Sequence, residues 1–175
     1  MTRFAATRLR PILQAHDAAT KWSVTVAVVL LAGIVATYAI EVVLRYFFNS
    51  PTSWAGSAVA YLLCASIFLV LPELTRQRVH IFISVLPDLL SQRAATLLIT
   101  GGYIAASVAC VVAAWFCFDA THMQYATNIE TLNEWRVPKW AVSVFLPYGL
   151  LSSGLYFLRH ALTGAAYVAA GKDPA

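Results

Sequence analysis

The stretch EVVLRYFFNSPTSW, residues 41–54, places a carboxylate and a guanidinium four residues apart, Glu41 and Arg45, at the end of a long apolar run. On a helix that spacing puts both side chains on one face, in the acid-first order that favours an ion pair. Two other acids touch apolar runs: Glu73 follows Pro72, and Asp119 ends the run 94–118. Coupled transport or a proton relay leaves an ionisable group deep in the membrane. All three acids sit near the ends of their runs, so Glu41 and Arg45 read as a structural clamp at an interface. Haem ligation needs histidines facing one another within the membrane. His16, His80, His122 and His160 instead lie outside the runs or at their ends. A thiol–disulfide enzyme needs paired cysteines near a surface. Cys64 and Cys110 fall mid-run and Cys117 stands alone, which suits small buried hydrophobes. No phosphate-binding glycine loop, dinucleotide-binding glycine pattern or cluster of metal ligands is visible in the sequence. The expectation is a chain without catalytic residues, cofactor or metal, which works as a partner of something else.

The elements that position these groups follow from composition. The 175 residues are 60% hydrophobic and 11% charged, and mean hydropathy is +0.71. A soluble domain carries about 25% charged residues, and one core cannot hide this much apolar surface, so part of it must face lipid. Four runs lack Asp, Glu, Lys and Arg: 22–40, 54–72, 94–118 and 140–158. A helix of about 20 residues crosses the hydrocarbon core. Lipid admits only helices and closed barrels, and period-2 alternation is missing, which rejects the barrel. The fold class expected is therefore an all-α integral membrane protein. It is a single membrane domain over 1–175, with spans of about 22–45, 54–72, 90–119 and 139–162. The first run is too long for a signal-peptide core and closes without a cleavage site, so it reads as a retained helix.

Basic residues orient the four spans. Arg3, Arg8, Arg10, Lys21, Arg76, Arg78, Arg93, Arg159 and Lys172, nine in all, fall on one side, and only Arg45, Arg136 and Lys139 on the other. The positive-inside rule then puts both termini in the cytoplasm. The pI near 9.1 reflects this topology and anionic lipid, and no nucleic-acid partner is expected. Trp22, Trp54, Trp135 and Trp140 fall at span ends, where indole rings prefer the interface. Residues 49–53 form a tight outer turn, with Pro51 driving Ser50 out of helical conformation. The inner connection TRQRVHIFISVLPDLLSQR, residues 75–93, mixes cations with apolar residues too few to span. It is expected to lie in the headgroup plane as an amphipathic segment. Pro87 and Asp88 suit the first turn of the helix that continues into the third span. The longest outer loop, 120–139, offers a docking face. Small residues recur at helical spacing at Gly102, Ala106, Cys110 and Ala114, and at Gly56, Ala60 and Cys64. Such faces let helix backbones approach in lipid, either within this subunit or against another membrane protein.

In order along the chain stand Arg45-Tyr46-Phe47, Asn49, Trp54, Arg78, His80-Ile81, Leu86-Pro87, Pro138-Lys139-Trp140 and Pro147-Tyr148-Gly149. This succession, over roughly residues 22–162, resembles the small permease subunit (DctQ type) of tripartite ATP-independent periplasmic, or TRAP, transporters. One departure is that Gly56 and Ser57 stand where that family often has an acid after the tryptophan, which removes a polar anchor from the second span. The resemblance implies a multi-pass protein of the bacterial inner membrane in a sodium-coupled importer of a small organic acid. It implies two protein partners: a large permease subunit that carries the sodium and substrate sites, and a periplasmic substrate-binding protein that docks from outside. The small subunit would enlarge the static scaffold. Candidate interface or structural residues are Glu41, Arg45, Trp54, Ala60, Arg78, His80, Ala106, Trp140 and Pro147. Two other readings are the membrane anchor of a respiratory enzyme, disfavoured by its histidine placement, and a self-sufficient four-helix transporter, disfavoured by the lack of a mid-membrane acid.

Overall fold

A computed structural model describes residues 2–78, 92–131 and 136–170. Its helices are α1 (Thr2–Phe47), α2 (Ala55–Arg76), α3 (Gln92–Ala126), α4 (Lys139–Ser143) and α5 (Phe145–Ala170). Among the described residues, four segments are long and apolar enough to cross a membrane: Leu13–Phe47, Ala55–Arg76, Ala94–Ala126 and Lys139–Gly164. They bear out the all-α, four-span membrane fold. The helices outrun the charge-free runs, because charge marks where lipid ends and not where a helix must. Of the connection expected to lie in the headgroup plane, residues 79–91, with His80, Ile81, Leu86 and Pro87, fall outside those described. Its two ends belong to α2 and its closing turn and to α3.

Helix ends follow turn chemistry. After α1, the amides of Phe48 and Ser50 both return to the Leu44 carbonyl, at 3.2 and 3.1 Å, while Asn49 takes φ 47°. Asn128 closes α3 in the same left-handed conformation, φ 49°. Asparagine tolerates that region, and the left-handed residue after a helix supplies donors to its last carbonyls. Arg78 does the same after α2 with φ 55°, its amide 3.2 Å from the Thr75 carbonyl.

The helices pack in the spatial order α1, α2, α5, α3, and among the described residues α3 has no Cα within 8 Å of α1 or α2. Helix α5 thus sits between α2 and α3, and its glycines mark the crossings. A Cβ on Gly149 would strike the Phe68 carbonyl of α2. That carbonyl is the one whose helical partner would be the N–H that Pro72 lacks. A Cβ on Gly154 would lie 3.2 Å from Val111 and 3.3 Å from Cys110 on α3. Serine hydroxyls tie neighbouring helices: Ser23 donates to the Leu69 carbonyl and Ser107 to the Gly154 carbonyl, each at 2.9 Å. Close backbones and interhelical hydrogen bonds are what hold helices together in lipid.

A proline also explains the break between α4 and α5. Pro147 has no N–H to return to the Ser143 carbonyl, four residues back, so the helix parts there. The Ser143 carbonyl lies 3.5 Å from the Thr121 hydroxyl of α3, and the Ser143 hydroxyl donates to Gln124 at 2.8 Å. Thus Pro147 and Gly149 serve one element: the proline breaks the ladder and the glycine permits the closest approach.

Candidate functional site

Two polar clusters stand at the two ends of the helix array. At the α1–α2 turn, Glu41 is buried, 7% exposed. Arg45 Nη2 donates to Glu41 Oε1 at 2.8 Å, but the Arg45 side chain is 59% exposed. The other carboxylate oxygen accepts from the Thr52 amide at 3.0 Å and also from the Thr52 hydroxyl. The clamp therefore joins the end of α1 to the turn that leads into α2, where Trp54 holds the N-cap position. Thr52 is the member sequence reasoning missed. Acids eleven residues from a threonine carry no periodic signal, and only the turn brings them together.

A larger network occupies the other end, between α1, α2 and α5. Tyr156, 1% exposed, stacks on His16 with ring centroids 4.5 Å apart and donates its hydroxyl to Asp17 at 2.9 Å. The Thr20 hydroxyl lies 3.0 Å from both the Tyr156 hydroxyl and the His16 carbonyl. His16 Nε2 meets the Ser152 hydroxyl at 2.8 Å, and Arg159 reaches Asp17 at 3.1 Å. On α2, Glu73 accepts from Arg76 Nε at 2.7 Å and from the Gln77 amide nitrogen at 2.5 Å. His160 bridges the helices: its Nε2 donates to the Thr75 carbonyl at 3.0 Å and its Nδ1 accepts from Arg78 Nε at 3.2 Å. That pairing requires the neutral tautomer protonated on Nε2. The sequence held a signal for this network. His16, Thr20 and Ser23 on α1, and Ser152, Tyr156 and Arg159 on α5, repeat at helical spacing and form matching polar stripes.

The other candidate residues separate. Trp140 is half-buried, edge-on to Tyr125 with centroids 5.5 Å apart. Pro138, before it, bridges to Glu130, and the Lys139 amide donates to the Ile129 carbonyl at 3.0 Å, closing the base of the outer loop. Ala106 is half-buried on α3, whose buried positions are Thr100, Ser107, Ala114 and Thr121. Ala60 is exposed, and a Cβ on Gly56 or Gly102 would meet nothing within 4 Å. Glu41, Arg45 and Trp54 share the α1–α2 turn, Arg78 belongs to the network at the opposite end, and His80 lies outside the described residues.

These features define a multi-pass helical membrane protein in which several polar side chains fasten one helix to another. Comparison with protein families gives a match over residues 34–166 to "Tripartite ATP-independent periplasmic transporters, DctQ component". The chain belongs to that family, and is the small permease component of a TRAP transporter. Comparison with curated proteins finds no match.

Proposed function

We propose that this chain is a non-catalytic scaffold, which packs against the large permease subunit of a sodium-coupled importer of a small organic acid. The observation that carries this reading is where its polar chemistry goes. Glu41, Asp17, Glu73, His16 and His160 each bond a neighbouring helix or a helix end, as a rigid frame requires. Its apolar surface points the other way: only 11% of the most apolar window of the first span is buried within the chain, which leaves broad faces for lipid and a partner. The outer loop closed by Glu130 and Pro138 is the surface offered to a periplasmic binding protein. Both termini and His80 lie in the cytoplasm and Asn49 and Asn128 outside, on the asymmetry of basic residues.

The open small-residue face at Gly56 and Ala60 provides the test. Ala60→Leu adds bulk at an exposed position of α2, so the subunit should insert and fold normally. Co-purification with the large subunit should then fall, and transport with it. Normal assembly and transport in Ala60→Leu would remove that face from the interface. Transport that persists with the whole chain deleted would end the scaffold reading.

A further inference from the structure

Between α3 and the α4–α5 elbow lies an apolar groove of about 430 Å³. Ala114, 4% exposed, forms its floor, Trp115 and Phe118 one wall, and Val144 and Leu151 the other. We propose that this groove holds one acyl chain of a phospholipid from the leaflet opposite the chain's termini, with the phosphate at Lys139. Its size is in the range of about 300–1,000 Å³ typical of small-molecule clefts. Its shape follows from the helix registers. Val111 to Phe118 on α3 and Leu151 to Val144 across the elbow each climb seven residues, about 10 Å along the helix axes. It therefore runs with the bilayer normal, within the roughly 15 Å depth of one leaflet. A partner helix about 10 Å across would ride over Trp115, 71% exposed, and Phe118, 60% exposed. A single polymethylene chain can descend between these walls to Ala114.

Exposed basic residues lie in the chain just beyond the outer end of the groove. His122 is exposed one turn beyond Phe118, on the same stripe of α3. Lys139 opens α4, is exposed, and makes no ion pair among the described residues. Arg136 is 3.9 Å from Glu130 and 79% exposed, so most of its donors face water. Asp119 lies about 100° around the helix from the Phe118 stripe. The half-buried Trp140 sits at the level where indole rings prefer headgroups. Along the helix axis, Lys139, Trp140 and the groove-lining residues from Val144 onward follow one another in the order of a phospholipid's own parts. This inference is independent of the scaffold role, since it needs only a membrane around the four spans.

The test uses the full chain, alone and with its large permease subunit, in vesicles of phosphatidylethanolamine and phosphatidylglycerol. The probe is a phosphatidylglycerol with a photoreactive diazirine on one acyl chain, and labelled peptides are mapped by mass spectrometry. Labelling of the groove walls should exceed that of the exposed α1 face at Val28 and Val35 several-fold in both preparations. Leu151→Trp or Val144→Trp, both at exposed positions, should erase that excess while leaving α1 labelling unchanged. Lys139→Glu should reduce it at least two-fold. Equal labelling of groove and α1 would mean bulk lipid only, and would overturn the proposal. Loss of groove labelling when the large subunit is present would do so too, by giving the groove to protein.

Discussion

The Glu41 carboxylate has two arms of unequal worth, and the inequality can be measured. Arg45 is largely exposed, so its bond to Glu41 resembles a surface helix pair, worth about 0.2–0.5 kcal/mol. The Thr52 arm is part-buried, ends on the buried Glu41 carboxylate and is charge-assisted, with both the amide and the hydroxyl of Thr52 donating to one oxygen. A hydrogen bond to a charged group contributes about 1.5–3 kcal/mol, and stranding a buried donor costs about 1–3 kcal/mol. Glu41→Ala removes both arms and strands the Thr52 amide, so a loss of about 3 kcal/mol is expected. Glu41→Gln keeps an acceptor but loses the charge, which roughly halves such bonds, and about 1 kcal/mol should go. Thr52→Val removes one donor and should cost about 1.5 kcal/mol, whereas Arg45→Ala should cost under about 0.5 kcal/mol. Unfolding of the purified complex in detergent gives the order, and hydrogen exchange at the Thr52 amide shows whether the turn has opened. An Arg45→Ala loss as large as that of Glu41→Ala would refute the reasoning, because the ion pair and not the turn would then carry the energy.

Three further outcomes are expected. Gly149→Ala puts a methyl group against the Phe68 carbonyl and should cost about 1–3 kcal/mol, whereas Gly56→Ala, in open space, should be near neutral; paired thermal melts decide. Tyr156→Phe removes the hydroxyl shared with Thr20 and Asp17 and should cost about 1 kcal/mol, with helix content unchanged by circular dichroism. Asn49→Val forces a β-branched residue into the left-handed region and should cost about 1–2 kcal/mol, while Asn49→Gly should be tolerated; equal stability of the two would show that the turn adopts another conformation.

The spans were legible because lipid imposes a one-dimensional rule: a long run without charge crosses, whatever its neighbours do. Turn residues were legible for a similarly local reason, since Asn49 and Pro51 act through their own backbones. The partners of those residues were not. Glu41 finds Thr52 only after the chain reverses, and Arg45, the neighbour visible at helical spacing, proves the more exposed contact. The stripe at His16, Thr20 and Ser23 could have been read as a packing face, but His16 on its own raised only haem ligation and the two hydroxyl residues carried no chemistry of their own. Small residues show the same limit. Ala60 and Ala106 look alike in sequence, yet one is open and the other half-buried, because a helix's period names its faces and only the neighbours decide which are covered.

The spatial order α1, α2, α5, α3 also bears on how the protein is made. The chain leaves the ribosome in sequence order, so α1 and α2 can pair as soon as both are inserted. Helix α3 follows with neither of them as a neighbour in the finished array, and waits in lipid as an unattached span. Only when α5 is delivered does α3 gain its seam, and the Gly149 and Gly154 crossings close on opposite sides of the newcomer. The C-terminal span is thus a keystone, and lesions late in the sequence should leave early spans inserted but unassembled. Quality-control proteases of the membrane would meet that intermediate as an orphan α3 beside an intact α1–α2 hairpin.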